Sequence, residues 1–521
     1  MTNKPEIGDS PFGEVSCQAE MTKWGDEYHE HFYGHKRFSR EALDPRTYLI
    51  IGRRGSGKSS LAQSLTFQDK YRGAKCIIIK DPEVYAKPFE ELAKQAHSTA
   101  EIAIPRIVKI WDVLIWSLIF EEFRDIDDRI NEACYVKSDD GQRVRLVEKT
   151  MIGFLDTISY EWELHKSDSL DEYYLSERFK NGKDAVLKHS SNTAIIVAVE
   201  TLEKYSVRNK HMMRTIAGLV EAASNIQLSY SNQGIYIKVF LAAEVFLHVR
   251  SVCISNPPKY VRDPLYLHWK PKSLLRLVCW RFYRHLQSRG MLLEISSGDI
   301  KWKEDTQEGY EDVRAKMWDP YFGKTVRNGH NLEEDSFAYV LRHTQMRPRE
   351  MVILCNAIAK CSGSAFPRFS SEAIVGGIKD EESNLANEVI NSFSEIYPEA
   401  HKIVEALILL PNFFNGSKLD KVASKTKTDW PDNTYSGVEF RRLVTELGIV
   451  GRVEADSHRQ SPGNQKIIEA EFEYSIKGPI GLQPEEECVI HPMFYQRFRI
   501  NLKDKFLVYP FIPRDSVYRF Y

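Results

Sequence analysis

Residues 47–60 read TYLIIGRRGSGKSS and carry the most specific pattern in the chain. The first part, Thr47–Ile51, is apolar enough for a buried strand, and the second part has the spacing GxxxxGK[ST]. A loop of this kind turns successive backbone N–H groups toward a polyphosphate, and the helix behind it adds the positive end of its dipole. Glycine lets the backbone curl and approach the phosphates closely. The pattern therefore predicts a nucleotide-phosphate site at the end of a strand.

We call residues 52–59 the phosphate loop. Lys58 is expected to reach the β- and γ-phosphates, and the Ser59 hydroxyl is expected to coordinate Mg²⁺. The residues predicted to bind the nucleotide are Gly52, Arg53, Arg54, Gly55, Ser56, Gly57, Lys58, Ser59 and Ser60. A glycine-rich turn without a ligand is the alternative interpretation. The cofactors predicted on this basis are ATP and Mg²⁺.

Size and composition indicate a globular protein of several domains. The 521 residues suffice for about three domains, and they are 42% hydrophobic and 28% charged. A net charge of −2 excludes a polycation that coats nucleic acid, so any such contact has to come from a local patch. The eight cysteines include no CxxC pair, which favours free thiols in a reducing cytosol.

Neither a signal peptide nor a membrane segment is expected. Residues 1–10 are polar, and the most apolar run, Ile110–Phe120, is interrupted by Asp112 and is too short to span a bilayer. We therefore expect a cytoplasmic protein without membrane contact. Within residues 1–40, the histidines between positions 29 and 35 could form a metal site, but a polar segment that packs against the nucleotide base is favoured.

Strand-like and helix-like segments alternate from residue 47 onward, which predicts a layered α/β domain. The candidate strands are short and apolar on both faces, as in a buried parallel sheet. They are 48–51, 76–80, 194–200, 236–243 and 265–268. The candidate helices between and after them are 107–123, 209–223 and 272–287. Residues 126–190 interrupt this alternation and are predicted to form a helical insertion of unassigned role.

Transfer of a phosphoryl group also needs one acid that holds Mg²⁺ and another group that orients the attacking water. The apolar run Ile195–Val199 leads into Glu200, and Glu203 follows three positions later. We expect Glu200 to bind magnesium and Glu203 to polarise the water; two solvated acids at a strand end are the alternative. Glutamate is one methylene longer than the aspartate usual at the first position. The pattern therefore indicates nucleotide binding more securely than fast hydrolysis.

The C-terminal part of the chain has the order of a winged helix, three helices followed by a β-hairpin with a loose tip. The predicted helices are Glu399–Leu410, Lys418–Ser424 and Gly437–Leu447, and the predicted strands begin at 448 and 466. Basic residues lie at the tip and beside it, namely Arg441, Arg442, Arg452, His458, Arg459 and Lys466. Acidic residues are interspersed among them, so both DNA binding and protein docking remain open.

In this order the motifs resemble those of prokaryotic AAA+/STAND-type P-loop ATPases, in the branch near the origin-recognition initiators. The resemblance covers roughly residues 40–500. Glu200-Thr201-Leu202-Glu203 is similar to the acidic motif of that group, and Tyr236–Ala243 is similar to its sensor-one strand. The resemblance implies an α/β fold: a P-loop NTPase three-layer core with a parallel sheet, then a helical lid and a C-terminal winged-helix domain. The implied boundaries are 1–40 for an N-terminal segment, 41–270 for the core, 271–390 for the lid and 391–521 for the winged helix.

Further candidate site residues lie outside the phosphate loop and the acidic motif. Residues 343–349, HTQMRPR, resemble the lid segment in which an arginine meets the γ-phosphate, so Arg347 or Arg349 would have that catalytic role; a helix N-terminus with proline is the alternative. Glu244 is the polar group available after the fourth candidate strand, where a polar residue could sense the γ-phosphate; a plain strand end is the alternative. Residues 265–269 and 274–277 look like the fifth strand and the first lid helix, and 489–494 like a winged-helix tail. Basic residues that could reach a neighbouring subunit's nucleotide are Lys259, Arg262 and Arg250.

The resemblance implies an ATP-hydrolysing switch that forms a homo-oligomer or acts with a partner effector protein. Many bacterial members of the group are linked to defence against phage, which makes antiviral defence the implied setting. A nucleotide-gated module that binds protein or DNA with little or no turnover is the main alternative. A DNA-binding regulator is another. A small-molecule kinase is the least favoured, since such enzymes carry a compact acceptor lid in place of a winged helix.

Overall fold

The computed structural model describes residues 10–67, 74–79, 100–137, 143–146, 173–200, 210–252, 257–302, 306–394, 396–430, 435–454, 459–460, 466–475, 479–500 and 506–510. The chain forms two compact units. The core unit is Lys36–Leu267, and the second unit combines Met1–His35 with His268–Tyr521. The N-terminal segment thus groups with the C-terminal half of the chain.

The strands of the described residues are β1 (Leu49–Gly52), β2 (Lys75–Ile79), β3 (Tyr135–Lys137), β4 (Arg143–Arg145), β5 (Ile195–Glu200), β6 (Ile235–Ala242), β7 (Leu265–Tyr266), β8 (Thr325–Arg327), β9 (Glu333–Asp335), β10 (Phe413–Asn415), β11 (Val450–Val453), β12 (Arg459–Gln460), β13 (Lys466–Glu471), β14 (Glu487–Ile490) and β15 (Leu507–Pro510).

The α-helices of the same residues are α1 (Cys17–Trp24), α2 (Tyr28–His31), α3 (Lys36–Ala42), α4 (Lys58–Ser64), α5 (Ala100–Phe123), α6 (Asp128–Ala133), α7 (Glu177–Ser190), α8 (Lys210–Tyr230), α9 (Ala243–Val252), α10 (Pro257–Tyr260), α11 (Pro271–Arg289), α12 (Gln307–Val313), α13 (Asp319–Phe322), α14 (Ser336–Arg342), α15 (Pro348–Ser362), α16 (Ser371–Ser392), α17 (Ala400–Val404), α18 (Ser417–Ala423) and α19 (Gly437–Glu446).

The core unit is built on a parallel sheet of five strands in the order β2-β5-β6-β1-β7. The four residues of β1 are all buried, as are Ile195–Val199 of β5. A sheet with helices on its faces buries its strands on both sides, which explains their continuous apolar sequence. The predicted α/β class with a parallel sheet is therefore confirmed, and the five candidate strands are present with small shifts at their ends.

One face of this sheet packs against the long helices α5 and α8. The residues that face them alternate along the strands, as the period of two requires: Leu49, Ile51, Val197, Val199, Val239 and Leu241. The two helices approach closely where Gly218 of α8 meets Ile107, since a Cβ at Gly218 would lie 2.5 Å from the Ile107 Cγ2. The indole N–H of Trp111 donates to the Thr215 carbonyl at 3.0 Å. These contacts hold α5 and α8 together on this face of the sheet.

The predicted insertion at 126–190 is only partly helical. Its described residues include the helices α6 and α7. They also include an antiparallel hairpin of β3 and β4, which was not predicted from the sequence. The signal was present in the sequence, because an Asp-Gly pair, which is common in hairpin turns, lies between the two segments. Residues 147–172 of the insertion lie outside the described part of the chain.

In the second unit, helices α11 and α15 pack with the N-terminal segment, and α16 packs against α15. Phe12 stacks on Phe282 of α11, with ring centroids 4.5 Å apart, and its backbone N–H donates to Asn356 of α15 at 3.0 Å. A second sheet follows in the order β10-β14-β11-β13-β12, with β15 parallel to β13. The predicted C-terminal helices correspond to α17, α18 and α19, and the first ends early, before Pro411.

Glu382 of α16 is a buried carboxyl group whose titration affects the stability of the second unit. Burial raises the pKa of Glu382 to about 7, and the nearby Arg342 and the backbone N–H of Gln496 oppose the rise. A carboxyl group with a raised pKa in the folded state favours folding below its unfolded pKa. This contribution is lost as pH rises from about 4.5 through 7.

We therefore expect Glu382→Gln to stabilise the protein by about 1–2 kcal/mol at pH 8, and to leave its stability unchanged at pH 4 to 5. Urea denaturation between pH 4 and 8 measures this. Glu381→Gln, which removes a partly exposed carboxylate from the same helix, is the control. If Glu382→Gln lost as much stability with rising pH as the wild type does, ionisation of Glu382 would have no effect on the free energy of unfolding.

Candidate functional site

The phosphate loop leaves β1 at Gly52 and enters α4 at Lys58. Gly55 and Gly57 have φ angles of 80° and 94°, in the left-handed region where residues with a Cβ are strained. Gly52 is required for a different reason. A Cβ at this position would lie 2.3 Å from the Ser56 Oγ and 3.1 Å from the Leu267 Cβ. The loop therefore folds back over the strand end on the side to which a Gly52 side chain would point.

The ammonium group of Lys58 lies inside this loop. Its Nζ donates to the carbonyl oxygens of Gly52 at 3.0 Å and Arg53 at 3.3 Å, and the residue is only 7% exposed. The positive charge is thus held at the centre of the curled backbone. A phosphate group is a stronger acceptor for such a donor than a neutral carbonyl.

Glu200 lies at the same edge of the sheet, at the end of β5. It is opposite Phe240 of β6, which is opposite Ile50 of β1, so a single strand separates Glu200 from the strand of the phosphate loop. Two inter-strand spacings amount to about 10 Å between the backbones of β5 and β1. Glu200 is partly buried.

Glu200 and the phosphate loop also lie on the same face of the sheet. Residues directly opposite in neighbouring strands point to one side, so Glu200, Phe240, Ile50 and Gly52 share a face. The phosphate loop covers that face, and α4 contacts β1, β5 and β6. The structure therefore brings Lys58, Ser59 and Glu200 to one edge and one face of the sheet.

Glu244 contacts the phosphate loop directly. It follows β6, in the first turn of α9, and is 7% exposed. Its Oε1 accepts a hydrogen bond from the backbone N–H of Arg54 at 3.1 Å and lies 3.8 Å from the Arg53 Nε. The sequence placed Glu244 at a strand end near the loop but gave no sign of these two partners.

Lys238 is a further residue of the site that the sequence analysis missed. It is fully buried in β6, and its Nζ donates to the carbonyl oxygens of Asp44 at 2.7 Å and Thr47 at 2.6 Å. These bonds fix the segment that enters β1 and therefore the start of the strand that carries the loop. The signal was a lone lysine in the otherwise apolar run IYIKVFLA.

Several predicted residues cannot be placed at this site. Glu203 lies outside the described residues, so its role in orienting water stays a prediction. The side chain of Arg250 also lies outside them. Lys259 and Arg262 are exposed; Lys259 Nζ donates to the Tyr260 hydroxyl at 3.0 Å, and Arg262 Nε to the Lys259 carbonyl at 3.1 Å. Their reach into another subunit stays a prediction.

Arg347 and Arg349 belong to the second unit. Arg347 is buried and its Nε donates to Glu350 at 2.9 Å, directly before α15 begins at Pro348. Arg349 forms an ion pair with Glu388 of α16 at 3.0 Å and is partly exposed. The helix N-terminus with proline is thus present, and a role of either arginine at the γ-phosphate stays a prediction.

The basic residues near the second sheet have acidic partners. Arg441 pairs with Asp420, Arg442 with Glu446 at 2.7 Å, and Arg452 with Glu471 and Glu486. His458 and the side chains of Arg459 and Lys466 lie outside the described part of the chain. The charge of the described arginines is therefore largely compensated within the unit.

Among the described residues, no group of three or more histidine, cysteine, aspartate or glutamate side chains could hold a metal ion. In the N-terminal segment, His31 stacks on Trp24 with ring centroids 3.5 Å apart. Burial, with a smaller effect of Arg284, lowers the pKa of His31 to about 4, so this ring is neutral at pH 7. No helix in the same part of the chain is long and apolar enough to cross a membrane.

A scan of the chain against protein-family models finds no match, and a search of the curated proteins finds none either. The function is therefore inferred from the geometry of the site.

Proposed function

We propose that the core unit binds Mg²⁺·ATP at the phosphate loop and hydrolyses it, and that the protein is an ATP-dependent switch of the AAA+/STAND type. One observation carries the proposal. The curled loop with Lys58 inside it and the carboxylate of Glu200 lie at one edge and on one face of a parallel sheet. Ligands of open α/β sheets bind at the carboxyl ends of the strands, which is where both groups lie.

The residues present fit the ligand. Backbone N–H groups and a lysine ammonium suit a polyphosphate, while a serine hydroxyl and a carboxylate supply the oxygen ligands that Mg²⁺ prefers. The separation of β5 and β1 by about 10 Å leaves room for two side chains with a hydrated cation between them. Mg²⁺, when bound, offsets the charge that develops on the transferred phosphoryl group.

Each side chain then has a distinct task. Lys58 binds the β- and γ-phosphates, Ser59 and Glu200 hold the cation, and Glu203 orients and polarises the attacking water. Contacts made only with the γ-phosphate would supply the free-energy difference between the ATP and ADP states. On this proposal Arg347 or Arg349 contributes one such contact, from a helical lid formed by residues 271–390.

The C-terminal residues support a winged helix that docks protein. Helices α17, α18 and α19 precede the antiparallel pairing of β11 with β13, and β14 lies between β10 and β11. Ion pairs occupy Arg441, Arg442 and Arg452, which weakens the case for phosphate contacts with DNA. A second copy of the chain or an effector protein is the partner proposed, in a cytoplasmic antiviral setting.

Phosphate release tests the enzymatic part. We expect the wild-type protein to hydrolyse ATP, and Glu203→Gln to lower kcat by roughly 10²- to 10⁴-fold while ATP still binds. Glu200→Gln should raise the Mg²⁺ concentration that is needed for activity. Glu177→Gln, which changes an 85% exposed acid of α7, is the control. A wild-type protein that binds no ATP would contradict the proposal.

A nucleotide-gated module without turnover is the second candidate. The glutamate at position 200 and the two alanines at the junction of β6 and α9, Ala242 and Ala243, favour it, because an alanine side chain cannot position the γ-phosphate. Tight ATP binding without phosphate release, with or without DNA or a partner protein, would decide for this candidate.

A further inference from the structure

Glu244 connects the outer half of the phosphate loop, Arg53 and Arg54, to the strand beside it. Its Oε1 accepts the backbone N–H of Arg54 at 3.1 Å, and the same oxygen lies 3.8 Å from the Arg53 Nε. Arg54 is 190 residues away from Glu244 in sequence. This carboxylate is therefore a tertiary contact of the loop.

The environment shows why a carboxylate is stable there. Glu244 is 7% exposed, and a buried charge needs a partner of opposite charge or a hydrogen bond. Arg53 supplies the opposite charge, and the Arg54 N–H supplies the hydrogen bond. Glu244 also lies in the first turn of α9, where the helix dipole stabilises a negative charge. A charge-assisted hydrogen bond of this kind is about twice as strong as a neutral one.

We infer that Glu244 is a positioning residue that holds the outer half of the loop in place before the nucleotide arrives. With Arg53 and Arg54 fixed, the inner half, residues 55–59, keeps the shape that binds phosphate. This inference rests on the proposed function and differs from a γ-phosphate sensor. A sensor acts on the chemical step, whereas a residue that pre-organises the loop acts on affinity.

Two substitutions distinguish the effect of the length of the Glu244 side chain from the effect of its charge. Glu244→Asp keeps the charge but is one methylene shorter, so it loses the bond to the Arg54 N–H. Glu244→Gln keeps an oxygen acceptor at the same reach and loses the charge. We expect Glu244→Asp to weaken Mg²⁺·ATP binding about tenfold and Glu244→Gln to stay within about threefold of the wild type.

Calorimetric titration with Mg²⁺·ATP and steady-state hydrolysis measure the two quantities on the full-length protein. The expected result for Glu244→Asp is a raised Kd and KM with an unchanged kcat. Glu177→Gln, which changes an 85% exposed acid of α7, is the control and should leave both Kd and kcat unchanged. The melting temperature without nucleotide shows whether each variant is folded.

Two results would overturn the inference alone: wild-type affinity in Glu244→Asp, or a loss of kcat with Kd unchanged. If the wild-type protein bound no ATP, the proposed function and this inference would both be overturned.

Discussion

Lys58→Ala will weaken the binding of Mg²⁺·ATP by roughly a hundredfold, because it removes the only side-chain ammonium within the phosphate loop. This ammonium donates to the carbonyl oxygens of Gly52 and Arg53. Loss of a buried cation that faces a polyanion costs about 3 kcal/mol of binding free energy. The effect should be equally large for ADP, since the β-phosphate is one of the groups bound.

Isothermal titration with ATP and ADP measures the change. Lys75→Ala is the matched control, since Lys75 belongs to β2 of the same sheet but pairs with Glu122 and is 52% exposed. It should bind both nucleotides as the wild type does. Equal affinities of Lys58→Ala and the wild type would mean that the loop is a structural turn.

Arg342→Met will destabilise the second unit by about 3–5 kcal/mol, the largest stability effect that we expect. Arg342 and Glu334 form a buried ion pair with side chains 8% and 0% exposed, at 2.9 Å between Nε and Oε2. Glu334 also accepts hydrogen bonds from Tyr509 and Asn328, each at 2.6 Å. Without the guanidinium group, the carboxylate remains buried without a cation, and its desolvation is no longer offset.

Urea denaturation of the full-length protein measures the loss. Arg349→Met is the control, because the Arg349–Glu388 pair is 34% and 42% exposed and is expected to contribute less than about 1 kcal/mol. Adding Glu334→Gln to Arg342→Met should recover part of the stability, since a neutral amide needs no cation. If Arg342→Met lowered the free energy of unfolding no more than Arg349→Met does, this account of the Arg342–Glu334 pair would be contradicted.

The central strands and the phosphate loop could be predicted because their signals are local. An apolar run followed by glycines and a lysine specifies a strand, a turn and a helix start within residues 47–60. The β3–β4 hairpin could also have been predicted from the Asp-Gly pair in the sequence between its strands. The contact of Glu244 with Arg54 and the bonds of Lys238 to Asp44 and Thr47 could not, because they join residues about 190 positions apart.

The second sheet shows the same limit. The hairpin of β11 and β13 follows from two extended segments around a polar loop, whereas β14 and β15 join the sheet through pairings that no short pattern encodes. The basic residues of this unit are likewise compensated by ion pairs that no short pattern encodes, such as those of Arg452 with Glu471 and Glu486.

The most direct test of the shared pocket is the binding of ATP with and without Mg²⁺ to the wild-type protein and Glu200→Ala. If one pocket holds both the triphosphate and its cation, Mg²⁺ will tighten ATP binding to the wild-type protein. Glu200→Ala will lose that gain while it binds metal-free ATP as before. The same gain from Mg²⁺ in both proteins would contradict the account, because Glu200 would then have no part in the cation site.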